Sequence, residues 1–450
     1  MEKKFDLIVI GTGAGGSTVA GKCRKAGWDV AIIDSNPFGG TCALRGCDPK
    51  KVLVGAAELI DWNRRMEGKG VSSDGANIDW QALMRFKKTF TEPVPGDREK
   101  GFAKAGIVAF HGRTSFLDKT TVKVGDDTLS GRFVHIAAGA KPATLGIPGE
   151  EHLTTSTEFL EMEDLPKRIA FVGGGYIAFE FAHIAARAGA EVQILHRGAR
   201  PLEGFDPDLV DMLVRATRDL GIDLSLNTAV ESVEKDGQQF IVSASAEKSK
   251  QIFEADMVVH SAGRFPDIDD MNLENAGIER DKRGITVNEY LQSVSNPAVY
   301  AAGDAAASGG LPLTPVATME GHVVASNLLN GNHRQPNQIG VPTVVFTLPP
   351  LSSVGLREED ANKQGLKFKV KHEDTSGWYS SKRVGIKYSG YKTLVEEESG
   401  RILGAHLLGL HAEEVINIFA LAIRSGLKAE DLKTMIYAYP TSASDISYMV

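Results

Sequence analysis

Phe5-Asp-Leu-Ile-Val-Ile10 runs directly into Gly11-Thr-Gly-Ala-Gly-Gly16, and a helix-forming stretch from Ser17 to Ala26 follows. A short apolar run rich in β-branched residues reads as a buried strand. The order is strand, tight glycine turn, helix. A second strand-like run, Asp29-Val-Ala-Ile-Ile33, ends at Asp34, 21 residues after Gly13. There a dinucleotide-binding βαβ unit places the carboxylate that bonds a ribose. The expectation is an α/β fold with a parallel sheet.

The pattern recurs. Arg168-Ile-Ala-Phe-Val172 leads to Gly173-Gly-Gly-Tyr-Ile-Ala178, a helix through Ala188 and the strand Ala190-Glu-Val-Gln-Ile-Leu195. One glycine fingerprint is a weak signal, whereas two inside strand-turn-helix-strand units predict two dinucleotide sites. Strand-like residues 132–137 precede the turn Ala138-Gly-Ala-Lys-Pro142, and after Gly263 the chain reads as returning to its first domain. The C-terminal part differs, with strand-like pieces at 343–347, 392–396 and 401–408 and a helix from Glu413 to Ser425. That helix is apolar around most of its circumference, which points to burial, with a second subunit as a candidate cover.

At 450 residues, 42% hydrophobic and 24% charged, the chain has ordinary globular composition and the length of about three domains. With 58 acidic and 50 basic residues its net charge is -8, and no Lys/Arg block marks a nucleic-acid surface. No uncharged apolar stretch approaches the ~18 residues of a membrane span. The expectation is a cytoplasmic protein with neither nucleic-acid nor membrane partner. Three cysteines cannot form a secreted disulfide framework, yet Cys42 and Cys47 lie close together.

Those two sit in Gly39-Gly-Thr-Cys-Ala-Leu-Arg-Gly-Cys-Asp-Pro-Lys-Lys51. In a regular helix, residues five apart have Cα atoms ~8 to 9 Å apart, beyond the ~7 Å a disulfide tolerates. A bridge therefore requires a distorted turn, for which Gly46 and Pro49 are suited. A helix N-terminus also favours a thiolate. On spacing alone, two buried structural thiols fit as well. Cys23, on the first helix, reads as core.

Together these motifs resemble the FAD-dependent pyridine nucleotide-disulfide oxidoreductases, the family of glutathione reductase, dihydrolipoamide dehydrogenase and mercuric reductase. Besides the cysteine segment, the resemblance rests on residues 173–180, 262–266, 299–304, 313–317, 345–347 and 401–406, in that order. It implies an FAD-binding domain at 1–145 and 264–335, an NAD(P)-binding domain at 146–263 and an interface domain at 336–450. The fold class is then α/β, two Rossmann-like dinucleotide-binding domains plus an α+β C-terminal dimerisation domain, in a homodimer. Gly11, Gly13 and Gly16 would face the FAD pyrophosphate, Asp34 its ribose and Asp304 its ribityl chain. Further cofactor contacts are implied at Thr41, Thr114, Gly139, Gly173, Gly175, Ile177, Gly263, Arg264 and Thr314. Lys51 and Glu180 match an ion pair beside flavin N5, and Tyr176 matches a ring that covers the flavin until nicotinamide displaces it. Electrons would pass from NADPH to FAD to a Cys42-Cys47 disulfide, with Cys47 next to the flavin and Cys42 attacking the substrate.

Where an NAD-binding unit carries a carboxylate after its second strand, this chain has His196 and Arg197, with Arg200 nearby. Arginine's planar fork suits a 2′-phosphate, which favours NADPH over NADH. The family's second phosphate-binding arginine would fall near Glu203. Its disulfide reductases also carry a C-terminal His-Pro-Thr and a glutamate; here the sequence is Tyr439-Pro-Thr-Ser-Ala-Ser444-Asp445. A phenol with a pKa near ~10 is a poor acid-base group, so Tyr439 is expected to make glutathione turnover slow. Mercuric reductases resemble the chain in that tyrosine but add a C-terminal cysteine pair, whereas this chain ends Ser447-Tyr-Met-Val450. The expected acceptor is a small disulfide or related thiol-reactive molecule, with a thiophilic metal ion or a quinone as alternatives. No resident metal is expected. A flavin redox sensor without turnover is the competing reading.

Overall fold

Burial fixes the register of the first strand: in β1 (Glu2–Ile10) Leu7 to Ile10 are buried while Glu2 to Lys4 stay exposed. β1 pairs in parallel with β2 (Val30–Asp34), from Leu7 opposite Val30 to Ile10 opposite Ile33. Between them, α1 (Ala14–Lys25) starts after extended Gly13 and buries Val19, Ala20 and Cys23. Burial pushes the Cys23 thiol up to about 12, which makes it an inert core residue.

The computed structural model describes residues 2–73, 75–246 and 249–450. Two compact units divide the chain. The first comprises Met1–Lys50, Phe86–Ala143 and Gly263–Gln338. Its sheet runs Val108–His111, β2, β1, Asp127–Ile136, Thr121–Val124, Thr114–Phe116, with Val299–Ala301 also paired to Asp127–Ile136. The pairings of β1, β2, Val108–His111 and Val299–Ala301 are parallel, and apolar clusters of this unit's residues flank the sheet. Its strands end at the glycine turn and at Gly303, so backbone N–H groups converge at the carboxyl end of the sheet.

The second unit comprises Lys51–Arg85, Thr144–Ala262 and Ile339–Val450. It holds a four-stranded parallel sheet with Arg168–Val172 and Glu191–Leu195 at its centre. Beside these in sequence, the antiparallel strands Thr228–Asp236, Gln239–Ala246 and Ser249–Ala255 form a separate sheet. A five-stranded antiparallel sheet is built from residues after 342. The helix Ala412–Ser425 buries Val415, Ile416 and Phe419 in one cluster with Val354, Tyr391 and Leu407 of this sheet. Its own unit thus supplies the cover for one face, while Leu421 on another is 61% exposed. No helix among the described residues is long and apolar enough to cross a membrane.

A buried histidine sits inside the first unit's sheet. His135, on Asp127–Ile136, is fully buried, and burial lowers its pKa to about 4, a backbone contact at Tyr300 opposing. A neutral native histidine against a protonating unfolded one means stability is fully present above pH ~6.5 and is lost as pH falls towards 4. The gap corresponds to ~3 kcal/mol. Denaturant unfolding between pH 7 and 4.5 should show His135→Leu losing less stability on acidification than wild type; parallel losses would contradict this.

Candidate active site

Close backbone approach builds the first part of the site. A Cβ on Gly11 (φ +107) would stand 2.1 Å from the Ala137 carbonyl oxygen, and one on Gly16 2.0 Å from that of Gly11. Gly40 (φ +76) lies so close to Gly13 that its Cβ would be 2.5 Å from the Gly13 Cα, so the glycine turn and the cysteine segment touch. Asp34 Oδ2 accepts the Thr12 N–H at 2.8 Å and the Thr12 hydroxyl at 2.6 Å. The other oxygen accepts the Asn36 N–H at 2.9 Å. The Thr12 hydroxyl in turn accepts the Gly39 N–H at 3.1 Å, tying Asp34 to the start of the cysteine segment.

A small cavity beside Asp34 is lined by Gly11, Asn36, Arg113 and Thr114 among others. Arg113 is held by forked hydrogen bonds to Asp267 and Asp270. Gly139 has φ +72; Gly263 accepts the Ala143 N–H through its carbonyl at 3.0 Å, and the Arg264 guanidinium donates to the Ala140 carbonyl. Asp304 follows Gly303 (φ +66), and burial raises its carboxyl pKa against the nearby Arg264 charge. Behind it, fully buried Glu320 accepts the Gly303 N–H at 2.7 Å and the Ser308 hydroxyl at 2.6 Å. Sequence reasoning missed Glu320, although a lone acidic residue in the otherwise uncharged helix Thr314–Asn330 was an available signal. Glycines that tolerate no Cβ, a carboxylate at the end of β2 and a cavity beside it fit an FAD.

The dithiol forms where the helix breaks. α2 (Gly40–Arg45) stops at Gly46, with φ -149 and ψ -113, and α3 (Cys47–Met66) restarts at the second cysteine. A Cβ on Gly46 would lie 2.9 Å from the Thr41 carbonyl oxygen. Cys42 and Cys47 are free thiols in hydrogen-bond contact. That bond lowers the Cys47 pKa to about 6, against partial desolvation; the Thr314 hydroxyl and the Lys50 charge lower it further, and Asp48 opposes. The same bond, aided by burial, raises Cys42. Thr314 Oγ1 lies 3.6 Å from Cys47 Sγ, and Asp48 Oδ1 stands 4.0 Å from Cys42 Sγ.

The lysines divide differently from expectation. Lys50 is buried. Lys51, the residue singled out from the sequence, is partly exposed; its Nζ bonds Glu58 at 3.1 Å and stands 4.7 Å from the Phe346 ring centre. Buried Glu180 accepts the Phe346 N–H at 2.8 Å. Tyr176 opens the helix Tyr176–Arg187 half-exposed, after extended Gly175, with Ile177 packed on the core. A Cβ on Gly173 (φ +108) would meet the Ser261 carbonyl oxygen at 2.6 Å. His196 Nδ1 accepts the Gly174 N–H at 3.1 Å and its Nε2 donates to the Arg200 carbonyl at 3.0 Å. Arg200 pairs with Asp211 through two 3.1 Å contacts, whereas Arg197 is exposed. Near Glu203, Arg357 donates to the Glu203 carbonyl at 2.7 Å. Tyr439 is 81% exposed. Thr441 caps the short helix Ser442–Asp445, its hydroxyl accepting the Ser444 N–H, and Asp445 accepts from Ser380.

Two glycine turns with close backbone approach, one of them beside a cavity, and a polarised dithiol are the parts that a dithiol oxidoreductase working with nucleotides needs. Family patterns agree: that of the pyridine nucleotide-disulphide oxidoreductases matches residues 5–321, and that of their dimerisation domain residues 341–450. Mercuric reductase of Staphylococcus aureus is 31% identical, covering 98% of this chain and 81% of the relative. Glutathione reductase of a Nostoc species is 31% identical over 99% of both chains. The Cu(II) complex of the HOCl-induced flavoprotein disulfide reductase RclA from Escherichia coli superposes with a TM-score of 0.88 at 28% identity, over 99% of each chain. The chain belongs to the pyridine nucleotide-disulfide oxidoreductase family and is an FAD- and NAD(P)H-dependent oxidoreductase.

Titration of the reduced protein by thiolate absorbance should give a first half-point near pH 6, moved upward in Thr314→Val, which loses a donor to the thiolate. A first half-point near ~8.5, that of an ordinary thiol, would refute the polarisation of the pair.

Proposed function

We propose that the enzyme transfers electrons from NADPH through FAD to the Cys42/Cys47 pair and on to a small disulfide or related thiol-reactive acceptor. The observation that carries this reading is the contact between the two thiols, with the proton held on Cys42 and the negative charge favoured on Cys47. Bound FAD supplies hydride acceptance from nicotinamide and passes the electron pair to sulfur. Gly11, Gly13 and Gly16 would hold its pyrophosphate and Asp34 its ribose, with Asp304 at the ribityl chain. We assign the flavin-facing cation to Lys50, which is buried and whose charge stabilises the Cys47 thiolate, in place of Lys51. Glu180, Tyr176, Gly173 and Gly175 keep their implied nucleotide-side roles.

In the oxidative half, Cys42 passes its proton to solvent and its sulfur attacks the acceptor disulfide, forming a mixed disulfide and releasing one thiolate. Cys47 then attacks Cys42 sulfur, the second thiolate leaves, and the Cys42-Cys47 bond is restored. The leaving thiolates need a proton. An exposed phenol at Tyr439 supplies it poorly, which supports slow glutathione turnover in a homodimer joined through residues 341–450. A thiophilic metal ion is the second reading, favoured by that same tyrosine.

Arg197 is the cation on the 196–200 turn without a carboxylate partner among the described residues, since Arg200 is paired with Asp211. Arg197→Glu should therefore weaken NADPH by roughly tenfold to a hundredfold in kcat/KM while sparing NADH. Equal losses would contradict the NADPH assignment. Two-electron reduction of the holoprotein should produce long-wavelength absorbance that Cys47→Ser abolishes; direct bleaching in wild type would show that the dithiol is not coupled to the flavin.

A further inference from the structure

Asp48 follows Cys47 on the first turn of α3 and is exposed. Its Oδ1 is 4.0 Å from Cys42 Sγ, the atom that attacks the acceptor in the function proposed above. The cations near it are otherwise engaged. Lys50 is buried, and Lys51 is bonded to Glu58. Arg45, the segment's remaining cation, is half-buried with the Asp34 and Asp267 charges nearby, so the charge placed at Cys42 is the Asp48 carboxylate. We propose that Asp48 is a specificity-determining residue that disfavours anionic acceptors, such as oxidised glutathione, and favours cationic or neutral disulfides at Cys42.

The physical basis is Coulombic. An acceptor must bring a sulfur within bonding distance of Cys42 Sγ, which sets its nearest charged groups several Å from the Asp48 carboxylate. At that separation a unit charge changes encounter and attack by a factor of about 3 to 10 for effective dielectrics between protein surface and water. The effect scales with acceptor charge, so a dication such as cystamine and dianionic oxidised glutathione are pushed in opposite directions. Added salt screens it. The carboxylate also raises both thiols, opposing Lys50 and Thr314. A test must therefore compare reagents of different charge on the same thiolate, so that the thiolate fraction cancels.

Reduced holoenzyme, its Asp48→Asn variant and its Asp48→Glu variant are alkylated with neutral iodoacetamide or anionic iodoacetate, and the modified cysteine is located by mass spectrometry. In each reaction the thiolate displaces iodide and forms a thioether. The ratio of the iodoacetamide to the iodoacetate rate at Cys42 should fall about 3- to 10-fold from wild type to Asp48→Asn at low ionic strength. Asp48→Glu should keep the wild-type ratio, and salt near ~1 M should bring all three together. In turnover, the cystamine to oxidised glutathione kcat/KM ratio should fall in Asp48→Asn and be retained in Asp48→Glu. Equal alkylation ratios in wild type and Asp48→Asn overturn the selection while leaving the dithiol reading intact. Failure of Cys42 to react with either reagent overturns both.

Discussion

The interruption of the helix at Gly46 is the constraint on which the chemistry rests. Five positions apart on one continuous helix, two thiols cannot meet. With α2 ended at Arg45 and α3 restarted at Cys47, they do. Any side chain at position 46 would press on the Thr41 carbonyl, so the break and the small residue require each other. The break also gives Cys47 the N-terminus of a new helix, where free N–H groups and the dipole favour the thiolate. Gly13 and Gly40 then bring this segment against the nucleotide-binding turn, so one set of backbone approaches fixes both the cradle and the dithiol.

From that arrangement the division of labour between the thiols follows. A single shared proton favours one thiolate, and the Lys50 charge biases it to Cys47. Cys42 keeps the proton and faces Asp48. A chain with Tyr439 and Ser444 in place of a histidine-glutamate pair has no imidazole at that position to take the proton. The groups around Cys42 itself consequently weigh more in deciding which acceptors react.

Much of this was legible in the sequence because it is local. The run Phe5 to Ile10, the glycine spacing and Asp34 each follow from strand length, turn chemistry and one βαβ unit, and the observed strands match closely. The second unit's Arg168–Val172 and Glu191–Leu195 were legible for the same reason. What failed to show depends on three-dimensional packing. Periodicity does not distinguish Lys50 from Lys51, since adjacent residues on a helix differ by a hundred degrees in facing and only packing decides which is buried. The helix Ala412–Ser425 reads as buried, with a second subunit as a candidate cover; that its own sheet covers one face is a pairing that lies outside its sequence window. Glu320 and the Arg357 contact to Glu203 join segments far apart in the chain, which no local pattern records.

An anaerobic reductive titration of the holoenzyme, counting electron pairs accepted per chain before the flavin bleaches completely, tests the coupling of dithiol and flavin most directly. Uptake of two pairs in wild type, one for the Cys42-Cys47 disulfide and one for FAD, and of a single pair in Cys42→Ser, is the result the account predicts. Uptake of one pair in both proteins would contradict it.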